Sequence, residues 1–307
     1  MERIVIVIVG PTCSGKTEVG IKAAEKIGGE IISADSRQVY KHLTIGTAKP
    51  SPEELQRVKH HFIDELEPDV DFNASKFEVE AIEKIQKMFD EGKTPIVVGG
   101  SGLYIRALID GIMNSVDTDA GYREELYALR EKYRNEYLYD LLKKVDPKSA
   151  NEMLPQNWKR VVRSLEVFHI TGEPIWKHQE EFKRNINFEF IQYGLRWDRE
   201  LLYQNINERV DKMIELGLVK EVEEILKNNF SKELYSLSTV GYKEIISFLD
   251  GDISLERAVE LIKRNTRRYA KKQLTWFNAD SRINWLDVGS KADLEATAGK
   301  ITARFKV

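Results

Sequence analysis

The sequence contains a single cysteine, Cys13, among its 307 residues. One cysteine excludes a disulfide framework and a metal site built from several thiolates, and it is typical of proteins from reducing compartments. No apolar run reaches the ~18 residues that a membrane-spanning helix requires. Met1-Glu2-Arg3 leads directly into an apolar run, without the pattern of a signal peptide. We therefore expect a cytoplasmic protein with no membrane contact.

The sequence also lacks an excess of positive charge. It has 47 Lys and Arg against 50 Asp and Glu, a formal net charge of −3. Any contact with RNA must therefore come from a local basic patch. No internal repeat or low-complexity tract is present, and no obligate protein partner is indicated. The length allows one large or two modest domains with a full α/β core.

The N-terminal part of the sequence has the pattern of a buried strand followed by a phosphate loop. Ile4 to Val9 form an unbroken β-branched run, which predicts a strand buried on both faces. The next segment, Gly10-Pro11-Thr12-Cys13-Ser14-Gly15-Lys16-Thr17, is a phosphate loop that opens a helix. Its glycines let backbone N–H groups approach a di- or triphosphate, its lysine adds charge, and its threonine offers a hydroxyl to Mg²⁺. Many nucleotide-binding kinases share this loop, so the reaction stays open.

A second strand, Glu30 to Ala34, is followed directly by Asp35. Ligands of open parallel sheets lie at this carboxyl edge, so we expect Asp35 near the phosphate loop. The carboxylate can bind metal, act as a general base or cap the following turn. The polar segments Ser36-Arg37-Gln38 and Gly46-Thr47-Ala48-Lys49-Pro50 favour a functional loop over a simple connection.

A third strand, Pro95 to Val98, ends in Gly99-Gly100-Ser101-Gly102. A hydrolytic P-loop enzyme usually has an acid for Mg²⁺ at such a strand end, and here glycines replace it. Glycines permit close approach of a bulky group, and Ser101 can either hydrogen-bond that group or cap the following helix.

The composition of the sequence changes between residues 113 and 187, where charge-rich stretches with helical patterns predominate. We predict a mainly helical insertion domain there, within a P-loop core made of residues 1–112 and 188–307. Lys159, Arg160 and Arg163 share helical faces, which fits either a solvated surface or an RNA contact.

Basic residues recur in the second part of the core. Arg196 and Arg199 follow the strand that begins at Phe188, and Arg209 lies on the next helix. Each can clamp a phosphate or form an ordinary salt bridge. The segment from Glu256 to Arg282 has a net charge of +5, a local excess suited to an RNA backbone.

Taken together, these segments resemble the tRNA dimethylallyltransferases, or tRNA isopentenyltransferases, of the IPP transferase family. The resemblance rests on residues 10–17, Ile32-Ser33-Ala34-Asp35-Ser36-Arg37-Gln38-Val39-Tyr40, 46–50, His60-His61, Gly99-Gly100-Ser101-Gly102-Leu103-Tyr104, 160–167, Gly241-Tyr242 and 268–277. They span nearly the whole chain in the family's order. Cys13 replaces the family's common alanine, and Ser101 its usual threonine.

The resemblance implies an α/β fold, a P-loop NTPase-like parallel sheet flanked by helices, with the helical insertion. It implies transfer of a dimethylallyl group from dimethylallyl diphosphate to the N6 amine of the adenine 3′-adjacent to the anticodon. The loop 10–17 would bind the diphosphate with Mg²⁺ on Thr17, and Arg196 or Arg199 would stabilise it after release. Asp35 would take the amine proton, and Thr12 would hydrogen-bond the bridging oxygen.

The resemblance further implies a tRNA partner bound through its anticodon stem-loop. The candidate tRNA-binding residues are Asp35, Ser36, Arg37, Gln38, Ser101, Arg123, Lys159, Arg160, Val161, Val162 and Arg163. The alternatives are a P-loop small-molecule or nucleoside kinase, and a nucleotide-dependent RNA-binding switch. If the protein were a kinase, the basic segment from Glu256 to Arg282 would have no role. If it were an RNA-binding switch, Asp35 would have no role.

Overall fold

The structure, a computed structural model, describes residues 3–112, 116–182 and 184–305. It divides into two units, one made of Met1–Ile109 with Asn187–Val307 and one made of Asp110–Ile186. The sequence predicts a core of residues 1–112 and 188–307 and an insertion of residues 113–187. In the described residues, no helix combines the length and apolar character needed to cross a membrane.

The first unit is built on a parallel six-stranded sheet. Its strands are β1 Ile4–Val9, β2 Gly29–Ala34, β3 His60–His61, β4 Thr94–Gly99, β5 Glu189–Trp197 and β6 Ile283–Val288. They follow the order β3-β2-β4-β1-β5-β6, and each neighbouring pair is parallel. The parallel α/β sheet predicted from the sequence is confirmed.

Nine helices of the described residues accompany this sheet. They are α1 Lys16–Ile27, α2 Pro52–Arg57, α3 Ala74–Asp90, α4 Gly102–Asp110, α9 Arg199–Glu215, α10 Leu218–Lys227, α11 Tyr242–Leu249, α12 Leu255–Asn278 and α13 Asp293–Thr302. Ile6 and Ile8 of β1 belong to one core cluster with residues of α1 and α13, while Val5 and Val7 are buried on the opposite face. Each such large side chain contributes about 1.5–3 kcal/mol by its burial, which explains the continuous apolar run.

Helix α12 is amphipathic along its whole length. Its buried residues are Ala258, Ile262, Thr266, Ala270, Gln273 and Phe277, spaced three or four apart. This spacing places one stripe of the helix against the core and leaves the basic residues between them on the exposed side. Ala270 contacts Leu202 and Ile206 of α9, so the two helices pack together beside Cys13.

The second unit contains α5 Ala120–Val145, α6 Pro147–Asn151, α7 Trp158–Thr171 and α8 Ile175–Glu181. Arg134 has a φ of 71°, and this non-helical residue divides α5 into two helical segments. The unit has its own apolar core between α5 and α7, and Val161 and Val162 are buried in it. The two valine side chains therefore stabilise the insertion, and their burial does not support the direct tRNA contact expected for them.

Candidate active site

Three turns meet at the carboxyl edge of the sheet. The phosphate loop follows β1, Asp35 follows β2, and Gly100-Ser101 follows β4. Because these strands are neighbours in the order β2-β4-β1, the topology brings together the three turns that the sequence predicts as functional.

The phosphate loop has the backbone of an anion cradle. Cys13 and Gly15 adopt left-handed conformations with φ of 64° and 78°. The turn is closed by a hydrogen bond from Ser14 N–H to Pro11 O at 3.3 Å, and Trp197 Nε1–H donates to Ser14 O at 2.9 Å. A Cβ on Gly15 would also lie 2.8 Å from Leu294, so the position requires glycine for conformation and for space.

Lys16 carries the strongest electrostatic signal of the loop. Burial, and after it the charge of the nearby Arg209, lower its pKa to about 8, while Asp35 and Cys13 oppose this shift. In this state Lys16 Nζ donates to Pro11 O at 3.3 Å. A cation that is disfavoured by desolvation and by a second cation is relieved when an anion binds between them. The pair Lys16 and Arg209 therefore fits a phosphate-binding role.

Arg209 is the arginine that reaches the loop, where its guanidinium donates a hydrogen bond to Thr12 Oγ1. Arg196 instead pairs with Asp287 across β5 and β6, at 2.6 and 3.1 Å. Arg199 lies over the ring of Tyr203 at 5.3 Å. The sequence left open which of these three arginines meets the diphosphate. The placement favours Arg209 and gives no support to Arg196 or Arg199.

A cavity of about 400 Å³ opens beside the loop. Its charged lining consists of Lys16, Lys49, Arg209, Lys212 and Lys291 together with Glu18, Glu54 and Glu208. Thr17 also lines it, at the first turn of α1. The excess of cations, the open N-terminus of α1 and the cradle of the loop all favour a di- or polyphosphate ligand.

Asp35 is held in a turn by its own carboxylate. Its Oδ1 accepts a hydrogen bond from Arg37 N–H at 2.9 Å. The capping role considered for this residue is therefore present, and within the described part of the chain the second carboxylate oxygen accepts no hydrogen bond. Ser101 Oγ accepts from Ser36 N–H at 3.0 Å, which ties the Asp35 turn to the turn after β4.

Gln38 forms hydrogen bonds that organise the loop. Its Oε1 accepts from Ser33 Oγ at 2.9 Å, and its Nε2 donates to the carbonyls of Thr47 and Ala48 at 3.2 Å. Its amide is therefore engaged within the protein. This contact network supports a structural role for Gln38 more directly than the tRNA contact expected for it.

The loop of residues 44–48 depends on Glu221, which the sequence did not single out. The carboxylate accepts hydrogen bonds from the N–H groups of residues 44, 45 and 46 at 2.7 to 3.1 Å, and from the Tyr242 hydroxyl at 2.6 Å. A Cβ on Gly46 would lie 2.3 Å from the ring of Tyr242. The Gly46 and Gly241-Tyr242 motifs, far apart in sequence, thus form one packed unit.

Gln273 of α12 joins two of the three turns. Its Oε1 accepts from Thr12 N–H and its Nε2 donates to Gly100 O, both at 2.8 Å. On the same helix, Tyr269 has its hydroxyl toward Ser101 and Gln273. Burial and then the charge of Asp35 raise the pKa of Tyr269 to about 12. Neither residue was predicted, because each reaches the site only through the packing of α12.

The chain is similar to known proteins over nearly its whole length. A family model described as IPP transferase matches residues 38–280 of the chain. The chain is 47% identical over 303 residues to the tRNA dimethylallyltransferase of Carboxydothermus hydrogenoformans, covering 98% of this chain and 97% of that protein. It is 45% identical over 304 residues to that of Lachnoclostridium phytofermentans, covering 98% and 96%. The chain belongs to the IPP transferase family.

Solved structures of the IPP transferase family agree with this assignment. The tRNA isopentenylpyrophosphate transferase of Bacillus halodurans aligns with a TM-score of 0.72 and 38% identity, covering 99% of this chain and 97% of that one. A eukaryotic dimethylallyltransferase acting on tRNA aligns with a TM-score of 0.83 and 30% identity, covering 98% and 78%. The family predicted from the joint motifs is confirmed.

The four basic residues of the insertion that the sequence predicts to bind tRNA divide into two groups. Arg123 and Arg163 both pair with the fully buried carboxylate of Glu166, and Arg163 also donates to the carbonyls of Val116 and Asp117. Lys159 and Arg160 are exposed. The structure therefore gives Arg123 and Arg163 a structural ion pair, and it leaves Lys159 and Arg160 available to a partner.

Proposed function

We propose that this protein transfers a dimethylallyl group from dimethylallyl diphosphate to the N6 amine of the adenine 3′-adjacent to the anticodon of tRNA. The products are N6-isopentenyladenosine and diphosphate, and the reaction takes place in the cytoplasm. The proposal follows from membership of the IPP transferase family and from the activities in the names of its relatives. One structural observation supports it above others: the anion cradle after β1 and Asp35 after β2 lie at one sheet edge.

The proposed reaction makes a C–N bond and breaks a C–O bond. The adenine amine attacks the allylic carbon that carries the diphosphate, and the diphosphate leaves with the electron pair of the broken bond. The amine must lose one proton, and Asp35 accepts it. The Arg37 N–H fixes one oxygen of this carboxylate and leaves the other to receive the proton.

The leaving group is stabilised by the loop and by two cations. Backbone N–H groups of the loop and the Lys16 ammonium hold the phosphates. Arg209 donates to Thr12 Oγ1, so the hydroxyl proton of Thr12 is free to point toward the bridging oxygen. A donor placed where negative charge develops lowers the barrier of the step.

Mg²⁺ fits this arrangement through Thr17. Among the described residues, no group of three His, Cys, Asp or Glu side chains could hold a metal ion. Mg²⁺ in phosphate sites takes one or two protein oxygens and completes its shell with phosphate and water, and the Thr17 hydroxyl lines the cavity. The ion would neutralise charge on the diphosphate.

The tRNA is expected to approach over the exposed basic side of α12 and over Lys159 and Arg160 of the insertion. In the anticodon loop the target adenine is stacked on its neighbours, and it must leave that stack to reach Asp35. Ser36, Arg37 and Ser101, beside Asp35, are the proposed contacts around it.

Labelled dimethylallyl diphosphate distinguishes this function from its alternative, a P-loop small-molecule or nucleoside kinase. The protein is incubated with ¹⁴C-labelled donor, Mg²⁺ and an anticodon stem-loop RNA. We expect label in the RNA, at the N6 position of the adenine. A second stem-loop with guanine at that position should stay unlabelled. Consumption of ATP with no labelled RNA would contradict the proposal and favour a kinase.

A further inference from the structure

An exposed tyrosine lies beside the Asp35 turn and has no role in the site described above. Tyr235 belongs to the connection between α10 and α11, and 62% of its side chain is exposed. Its ring stacks on the guanidinium of Arg37, with Arg37 Cζ 4.1 Å from the ring centroid. The sequence motifs do not include Tyr235, which precedes the Gly241-Tyr242 motif.

The connection that carries Tyr235 is anchored on both sides of the ring. Ser236 and Leu237 are buried, and Ser236 Oγ donates to Pro68 O at 2.7 Å. Leu237 N–H donates to Leu234 O at 3.0 Å and closes the turn around Tyr235. The tyrosine is therefore presented to solvent by a fixed backbone, and burial of its ring contributes little to the fold.

Arg37 connects this aromatic ring to the acid. Its N–H donates to Asp35 Oδ1 at 2.9 Å, so the two residues share one turn. Its guanidinium donates to Ser36 O at 3.3 Å, and in the described residues no carboxylate forms an ion pair with it. Burial raises the pKa of Tyr104 above its ordinary range, and Arg37, Tyr235 and Asp35 all act on it electrostatically. The charges of Arg37 and Asp35 and the phenol of Tyr235 are therefore close enough to act on one buried side chain.

We propose that the Tyr235–Arg37 pair is a stacking platform for a nucleobase that flanks the target adenine. The inference rests on the proposed function, because that function makes single-stranded RNA the substrate. Aromatic rings and guanidinium planes are the groups on which unstacked RNA bases stack. One face of the tyrosine ring meets Arg37, and the residue as a whole stays 62% exposed. The Arg37 guanidinium would attract the phosphate of the same nucleotide.

A flanking base fits this position better than the target base. The target amine must reach the carboxylate of Asp35, whereas Arg37 is two residues further along and at most about 7 Å away in backbone distance. A base removed from the anticodon stack leaves its neighbours with an uncovered face. The platform replaces this lost stacking, and so it favours extrusion of the adenine.

Steady-state kinetics of prenyl transfer test the platform with four variants. In Tyr235→Ala we expect the KM for a stem-loop RNA to rise about 5- to 150-fold, the effect of about 1–3 kcal/mol of stacking. The KM for dimethylallyl diphosphate should stay unchanged. Tyr235→Phe should keep the wild-type KM, and Tyr235→Leu, which retains apolar bulk without a ring, should resemble the alanine variant. Leu216→Ala, equally exposed at 62%, is the matched control and should not change either KM.

Fluorescence of 2-aminopurine identifies the stacked base directly. The probe replaces, one at a time, the nucleotides on the two sides of the adenine. We expect one of the two positions to be quenched on binding to wild type and to Tyr235→Phe, and not on binding to Tyr235→Ala. An RNA KM within twofold of wild type in Tyr235→Ala, with unchanged quenching, would overturn the platform. Failure of wild type to label any RNA would instead overturn the proposed function.

Discussion

Thr12 of the phosphate loop and Gln273 of α12 are joined by a hydrogen bond from Thr12 N–H to Gln273 Oε1 at 2.8 Å. The other end of the same amide donates to Gly100 O at 2.8 Å. One buried side chain therefore sets the distance between the phosphate loop and the turn beside Asp35. Since α12 also carries the exposed basic residues, the helix proposed to face RNA is tied directly to the phosphate loop.

Gln273→Met tests this bridge, because methionine keeps the length of the side chain and removes both hydrogen bonds. A buried N–H or C=O group left unpaired costs about 1–3 kcal/mol, so the free energy of unfolding should fall by at least this much. We also expect a lower kcat, because Thr12 loses its fixed position. Chemical denaturation and steady-state kinetics measure the two effects. Thr275→Met, on the exposed side of α12, is the control, and equal behaviour of the two variants would refute the bridge.

Asp35→Asn separates the two roles of Asp35. The amide oxygen can still accept from Arg37 N–H, so the turn is kept, while the group can no longer take a proton at neutral pH. We expect kcat to fall about 10²- to 10⁴-fold, with little change in the KM for dimethylallyl diphosphate. Asp35→Ala, which loses both roles, should be no more active than Asp35→Asn. Wild-type turnover in Asp35→Asn would remove Asp35 as the base.

The lowered pKa of Lys16 predicts that binding of dimethylallyl diphosphate, the donor, depends on pH. Burial lowers its pKa to about 8 in the free protein, so the ammonium loses its proton as the pH rises through this value. A diphosphate favours the protonated form, and therefore kcat/KM for the donor should fall above about pH 8. Lys16→Arg remains charged throughout, so its profile should show no such fall, whatever its absolute rate. A flat wild-type profile up to pH 10 would contradict this assignment.

The same lowered pKa has a consequence for stability without ligand. Between about pH 8 and the ordinary value of 10.5, the unfolded chain binds more protons at Lys16 than the folded chain does. The contribution of Lys16 to the free energy of unfolding should therefore increase with pH across this window. Comparing wild type with Lys16→Met in chemical denaturation at pH 7.5 and 10 isolates this contribution. A difference between the two proteins that does not change with pH would speak against it.

Arg163 and Lys159, four residues apart on α7, should behave differently. Arg163 pairs with the buried Glu166, so Arg163→Ala should lower the free energy of unfolding by about 1.5–3 kcal/mol. Lys159→Ala and Arg160→Ala should leave stability unchanged, since both side chains are exposed. They should instead weaken tRNA binding and flatten its salt dependence. An unaltered salt slope in the Lys159→Ala and Arg160→Ala double variant would exclude this surface from the tRNA contact.

Thr17 gives a test of the metal. Chelation of divalent ions should abolish prenyl transfer, and added Mg²⁺ should restore it. Thr17→Val has the same shape without the hydroxyl and should need a higher Mg²⁺ concentration for half-maximal rate. Thr17→Ser keeps the hydroxyl and should stay near wild type. Full activity in the presence of a chelator would show that the diphosphate leaves without a metal ion.

The sequence by itself determined the sheet core, the phosphate loop and the place of Asp35. These features are local: a β-branched run specifies a buried strand, and the glycine and lysine spacing of residues 10–17 specifies an anion cradle. The parallel sheet then places the strand ends at one edge, so Asp35 and Ser101 could be predicted there. The change in texture near residue 113 likewise indicated a helical insertion.

Tertiary structure alone decided which long side chains lie at the carboxyl edge of the sheet. Four side chains reach this edge from helices and a connection far along the chain, namely those of Arg209, Glu221, Tyr235 and Gln273. Arg196 instead pairs with Asp287, and Arg163 pairs with Glu166. A local sequence pattern indicates that a residue is polar and on which face of its helix or strand it lies. Its partner depends on how distant elements pack, and packing is a property of the assembled core.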